Sequence, residues 1–236
     1  APKLAFALTL SDGTVIEADE NVKTHPSPIL FDDLRCGVHY DARKELSGWT
    51  SPDFDDSDWE NAFPVETARG KAVLCSAEPI RVYDELAPET ITSHVFLAPY
   101  QHRDDHMPEK TFYDSAEDDA KEGFLYDFGQ NNAGIFRLKI NGKAGQRIVL
   151  QACERLDEEN RPFFSNIGFY PNGYSQRTIY ICRGEGEEIF TPDFTYIGYR
   201  YLWVSGITEE QATKELLTYL VAGSDLEARG DFSCSD

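Results

Sequence analysis

The run Phe136-Arg137-Leu138-Lys139-Ile140, the loop Asn141-Gly142-Lys143-Ala144-Gly145 and the run Ile148-Val149-Leu150-Gln151-Ala152 decide the fold class. Successive side chains of a strand point to opposite faces, so Phe136, Leu138 and Ile140 share one face and Arg137 and Lys139 the other. After a loop with two glycines the apolar alternation resumes at Ile148, Leu150 and Ala152, which predicts a hairpin. Working outward, Ile179 and Ile181, and then Tyr199, Tyr201 and Trp203, supply further half-buried strands between Tyr126 and Trp203. The expected fold is all-β: an antiparallel, jelly-roll-like β-sandwich.

Toward the N-terminus, Leu4, Phe6, Leu8 and Leu10 alternate strictly, and Asp12-Gly13 turns the chain into Thr14-Val15-Ile16, a second hairpin signal. A hairpin this early reads as the continuation of a sheet begun upstream, so the sandwich is preceded by part of a second β domain. Periodicity lapses over Glu85-Leu86-Ala87-Pro88-Glu89, which divides the chain into residues 1–87, the sandwich 88–224, and residues 225–236 as the start of a linker. Within the sandwich, Ile91 to Ala98 and Leu216 to Ala222 read as strands, the acidic segment Tyr100 to Gly123 as a loop, and Thr208-Glu209-Glu210-Gln211 as a capped turn.

Across 236 residues, 42 Asp and Glu stand against 22 Lys and Arg, a net charge of -20. Nucleic acid and anionic membranes need clustered basic residues, so neither is an expected partner, whereas neutral sugars are compatible. No apolar run approaches the roughly 20 residues of a membrane span. Cys36, Cys75, Cys153, Cys182 and Cys234 are odd in number and lack C-x-x-C spacing, which suggests neither a disulfide framework nor a zinc site. With no basic-then-apolar leader in the sequence, a cytoplasmic location is expected.

Candidate chemistry is sparse. Asp53, Asp55 and Ser57 are spaced like calcium ligands, but Asp58 replaces the turn glycine and Pro64 the closing glutamate. Calcium therefore gains no support, and no cofactor is expected. Ser57 or Asp56 is expected to cap a turn over a buried Trp59. His102 and His106 carry H-E-x-x-H spacing with Arg103 at the glutamate position, between prolines that oppose a helix. Trp49, beside Asp41 and Arg43, suits a sugar: the indole for its apolar face, the charged groups for its hydroxyls. Asp127-Phe128-Gly129-Gln130-Asn131-Asn132-Ala133-Gly134 is a polar, glycine-bearing stretch wedged between strands. Gln130, Asn131, Glu154 and Asn166 are the candidates to face another domain. No G-x-S-x-G elbow is present, Gly184-Glu185-Gly186 lacks the lysine of a P-loop, and no carboxylate pair is singled out for glycoside hydrolysis.

Taken in order, Tyr40-Asp41-Ala42-Arg43, Gly48-Trp49, Phe54-Asp55-Asp56-Ser57-x-Trp59, Asp127-Phe128-Gly129-Gln130-Asn131, Glu154-x-Leu156, Phe194-Thr195-Tyr196-x-Gly198-Tyr199-Arg200-Tyr201 and Gly230-Asp231-Phe232-Ser233-Cys234-Ser235 closely resemble bacterial α-L-rhamnosidases of glycoside hydrolase family 78. The resemblance implies the latter half of a jelly roll, a whole accessory sandwich and the first residues leading to a catalytic helical toroid. It also implies that the catalytic acids lie in that absent toroid, so that no catalytic residue is expected here and this chain alone is expected to be inactive. The expected function is thus that of a non-catalytic part of an inverting enzyme acting on rhamnose-containing carbohydrate, with an independent rhamnose-binding module as the alternative. Two positions depart from the family pattern. Gly37-Val38-His39 replaces Gly-Glu before Tyr40, and Gln176-Arg177-Thr178 lacks an Asp before Tyr180.

Overall fold

A computed structural model describes residues 3–34, 37–66, 70, 73–96, 122–163, 177–227 and 229–235. In chain order the strands are β1 (Ala7–Thr9), β2 (Val15–Glu17), β3 (Lys23–Thr24), β4 (Ile29–Asp33), β5 (Gly37–Asp41), β6 (Glu60–Asn61), β7 (Ile80–Leu86) and β8 (Thr90–Phe96). They continue with β9 (Glu122–Asn141), β10 (Arg147–Cys153), β11 (Arg155–Leu156), β12 (Pro162–Phe163), β13 (Arg177–Ile181), β14 (Glu187–Phe190), β15 (Ile197–Ser205) and β16 (Leu217–Ser224). Two short 3₁₀ turns, Ala42–Lys44 and Lys214–Leu216, are the helical elements among the described residues.

Contacts divide the chain into residues 1–27 with 45–77, and residues 28–44 with 78–236. The second unit therefore takes in three strands, β4, β5 and β7, that the expected boundary at residue 87 assigned to the first domain; β7 pairs with β16. The reason is register: β5 runs parallel to β13, with His39 opposite Ile179 and Asp41 opposite Ile181, and β4 pairs with β5. That parallel pair is an exception to the expected antiparallel order.

In this second unit a ten-stranded sheet runs along the hydrogen-bonded path β4-β5-β13-β10-β15-β9-β16-β7, with β14 and β8 pairing to β9 off that path. Strand β9 is the hinge of the architecture. Its first part pairs with β8 and with the end of β15, and its last part with β16 and β14. Side chains from both halves, Tyr126 and Phe128 from one and Phe136, Leu138 and Ile140 from the other, lie in a single core. The path thus folds over at Asp127–Asn132 and closes a sandwich on itself, as expected from the sequence. Ring contacts bridge the layers: Tyr180 on β13 and Tyr40 on β5 meet Phe190 on β14 at 4.8 and 4.9 Å.

The alternation of residues 136–140 and 148–152 is as expected, but the hairpin between them is not formed. β10 pairs with β13 and β15 instead of β9, because both long edges of β9 are occupied by other strands. The opposite face of β10 is also covered, since Val149 joins Val95, Leu125, Ile179 and Trp203 in a second cluster. Nor do Tyr199, Tyr201 and Trp203 share one face. A register shift between Tyr199 and Tyr201 sends Tyr199 into the main core and leaves Tyr201 and Trp203 with the second cluster.

In the first unit, β1 and β2 form the expected hairpin, with Thr9 opposite Val15 and Gly13 at φ 88° in the turn. β3 pairs with β6. Trp59 is half-buried, 5.3 Å from the His25 ring and 5.7 Å from Phe54. The turn before it is capped by the Asp55 carboxylate, which accepts the Ser57 N–H at 3.1 Å, and is closed by the Asp56 carbonyl, which accepts the Trp59 N–H at 3.1 Å. Asp56 is taken by Lys23 at 2.7 Å.

Candidate functional site

The polar stretch that interrupts the apolar pattern lies inside β9, where the sandwich folds over. Gly129 sits there at φ 81°, a conformation that glycine adopts without the steric penalty of a Cβ. A Cβ at this position would stand 2.1 Å from the Glu89 carboxylate. Asp127 organises the bend. Its carboxylate is forked by Arg200 at 2.8 and 2.9 Å and accepts the Gly129 N–H at 2.8 Å, while its carbonyl accepts the Glu89 N–H at 2.7 Å. The Arg200 guanidinium holds the Asp127 carboxyl below its ordinary range, and Arg200 is raised in turn. Arg200 also lies 5.0 Å over the Tyr201 ring.

Behind the bend, Tyr199 and Tyr219 stack with centroids 3.9 Å apart. The Tyr219 hydroxyl donates toward the carbonyls of Asn132 and Tyr199, and the Tyr199 hydroxyl donates to the Ile135 carbonyl at 3.2 Å. Burial raises both phenols, which keeps them protonated as donors. The backbone of the bend is therefore pinned from inside by hydroxyls and from outside by an ion pair.

This rigid corner displays its amides outward. Gln130 and Asn131 are exposed, and Asn131 donates from Nδ2 to Oε1 of the half-buried Glu154 at 3.2 Å. Two of the four residues expected to face another domain, distant in sequence, are thus brought together. Gln130 shares β9 with Asn131, and Asn166 lies outside the described residues. The neighbouring Asn132 keeps its Nδ2 enclosed with no acceptor among the described residues. A cavity between the layers, bounded in part by Leu150, Thr178, Tyr196 and Leu202, measures about 20 Å³, room for a single water. It is too small for a sugar ring.

The other candidates are placed differently. Asp41 ends β5 and is 3% exposed, with both carboxylate oxygens held by Arg43 at 2.8 Å. That pairing depresses the Asp41 carboxyl. Arg43 keeps half its side chain in solvent. Trp49 belongs to the other unit, where it is 60% exposed. The His102 and His106 pair and Cys36 lie outside the described residues, and the described cysteines carry free thiols. No group of three or more potential metal ligands occurs among the described residues.

The motifs containing Asp127 and Arg200 lie 73 residues apart, and nothing in the sequence alone joins them. Both carry a charged residue within an aromatic, strand-like run, and that shared oddity was the available signal. Glu89 and Tyr219 carry no comparable mark in the sequence.

The model of the bacterial α-L-rhamnosidase concanavalin-like domain matches residues 118–222, and that of the α-L-rhamnosidase N-terminal domain matches residues 2–84. An α-L-rhamnosidase of Formosa agariphila is 33% identical over 99% of this chain, which covers 22% of that protein. Among solved structures, an α-L-rhamnosidase from Dictyoglumus thermophilum superposes with a TM-score of 0.76 at 31% identity, over 98% of this chain and 23% of its own. The Streptomyces avermitilis α-L-rhamnosidase, solved with L-rhamnose, gives 0.69 at 28% identity, over 94% and 19%. The chain thus spans about a fifth of the length of these proteins. With both domain models matched in order and the fold shared with solved members, it belongs to the bacterial α-L-rhamnosidases, of which it carries the N-terminal and concanavalin-like domains.

Proposed function

We propose that this chain is a non-catalytic, accessory region of an α-L-rhamnosidase that removes terminal α-L-rhamnose from glycosides by inversion, and that its sandwich supports the catalytic part of that enzyme. The observation that carries this reading is the corner at Asp127–Asn132. It invests an ion pair, a stacked tyrosine pair and two hydroxyl donors in fixing a short stretch of backbone, yet presents Gln130 and the Asn131–Glu154 pair to solvent. A preorganised polar surface of this kind suits docking, because little entropy remains to be lost on association. Asn166 is proposed as a further contact with the catalytic part. The partner is the catalytic domain, and the substrate class is rhamnose-containing carbohydrate. We propose a cytoplasmic location, with which the free thiols of the described cysteines are compatible.

The test places this chain in the Dictyoglumus thermophilum enzyme in place of the aligned residues. Asn131→Ala combined with Glu154→Ala should lower both the melting temperature and the rhamnosidase rate of that chimera. In the isolated chain the same pair should cost no more than about 1 kcal/mol, the scale of one exposed hydrogen bond. A chimera indifferent to the double substitution contradicts docking through this corner.

One observation favours a second reading, rhamnose binding by the first unit: Trp49 offers an exposed indole. Asp41 adds little to it, since both its oxygens are engaged by Arg43. Saturable heat on titrating this chain with L-rhamnose, lost on Trp49→Ala, supports that reading, and heat unaffected by the substitution removes Trp49 from it.

A further inference from the structure

Glycine inside a strand is costly, because it adds backbone entropy to the unfolded chain and packs no side chain. Four described glycines lie in strands of the second unit with φ outside the left-handed region: Gly123, Gly134, Gly198 and Gly223. A Cβ on Gly123 would stand 2.3 Å from the Val204 carbonyl oxygen, and one on Gly134 2.1 Å from that of Leu220, so close backbone approach demands both. A Cβ on Gly223 would press on the Tyr83 ring at 3.4 Å. Gly198 is different. Its Cβ would meet Glu154 Oε1 at 3.5 Å and the Asn132 carbonyl at 3.7 Å, ordinary contact distances. Neither φ nor packing among the described residues therefore excludes a side chain there.

The backbone at Gly198 is also open along one edge. β10 flanks β15 from Tyr201 to Ser205, where Cys153 to Val149 pair with it. Ile197, Gly198 and Tyr199 pair with Gly134, Ala133 and Asn132 of β9, and no strand among the described residues pairs with their other edge. Two exposed aromatics, Phe194 and Tyr196, lead into this place, with Thr195 buried between them. Beside it stand the Glu154 carboxylate and its Asn131 donor.

We propose that Gly198 is the floor of a main-chain contact: a segment of the catalytic part lies along the open edge of residues 197–199, with N–H groups directed at the strand's carbonyls and at Glu154. This rests on the docking role of the corner and names the place on it where the partner's backbone passes. Three observations choose that occupant. A bare strand edge alternates N–H and C=O groups, which another peptide backbone matches and a sugar does not. A strand glycine that nothing within the chain demands suits close approach by a second backbone. Exposed aromatics beside it are the side chains enriched at protein interfaces. A second copy of this chain would bring another -20 of net charge against the first.

The test compares Gly198→Ala and Gly198→Val in the isolated chain and in the chimera described above. In the isolated chain neither should lower the melting temperature by more than about 3 °C. In the chimera Gly198→Val should lower the rhamnosidase rate about tenfold or more, and Gly198→Ala by less. Hydrogen exchange gives a readout independent of turnover. Amides of residues 197–199 should exchange about tenfold or more slowly in the chimera than in the isolated chain, and Gly198→Val should return them to the isolated rate without touching β10. Equal destabilisation of chain and chimera by Gly198→Val overturns the proposal, because the sandwich itself then requires the glycine. A chimera indifferent to Gly198→Val also overturns it. If Asn131→Ala with Glu154→Ala still lowers that chimera's rate, docking through the corner stands and only the main-chain contact falls. Saturable heat on titrating the isolated chain with L-rhamnose, lost on Gly198→Val, overturns it in favour of a sugar site.

Discussion

Arg43 closes its guanidinium on both oxygens of Asp41, and that contact limits what either residue has left to offer a ligand. Their adjacency suggested shared chemistry, and the pair does form. Its burial was illegible, because Asp41 is enclosed by the parallel pairing of β5 with β13, two strands far apart in the chain. His39, on the same strand, carries the clearest consequence at this scale. Burial, and then the charges of Arg147 and Arg177, lower its pKa from 6.5 to about 4. Between those values the unfolded chain binds the proton and the folded one does not. Stability from this residue is therefore complete above pH 6.5 and falls as the pH drops toward 4, by at most roughly 3 kcal/mol. Urea unfolding from pH 7 to 4 should show that slope, and His39→Gln should flatten it. An unchanged slope in the variant would place the proton uptake elsewhere.

At the scale of elements, β9 decides the architecture by bending in the middle. Period-two patterning revealed its second half, because Phe136, Leu138 and Ile140 alternate cleanly with Arg137 and Lys139. The continuity of the strand through Asp127–Asn132 was not legible, since polar residues and a glycine resemble a connection. The hairpin expected between residues 136–140 and 148–152 failed for a related reason: sequence proximity says which strands are near, and only long-range pairing says which are neighbours. The shift between Tyr199 and Tyr201 likewise breaks the alternation without any residue that announces it. Tyr219 ties these features together, stacking on Tyr199 and donating to the carbonyl of Asn132. Tyr219→Phe keeps the ring and removes that donor, so it should destabilise the chain by about 1–2 kcal/mol, with faster amide exchange concentrated at residues 129–134. Exchange that rises evenly over the sandwich would mean that the hydroxyl does not pin the bend.

For the whole molecule, the ordered motifs from Tyr40 to Ser235 were enough to place the chain in its family, since short sequence signatures survive where overall identity has fallen to about a third. What they could not show is how unequally the two units are built. Both apolar cores lie in the second unit, and the first has none among its described residues. A region of this kind, spanning about a fifth of its relatives, acts in our account by support and not by chemistry. The most direct test is turnover of an aryl α-L-rhamnoside by the purified chain, beside the chimera that carries the same residues. The account predicts no turnover above buffer for the chain and rhamnosidase activity for the chimera. Turnover by the chain itself, abolished by replacing one of its own carboxylates, would contradict it.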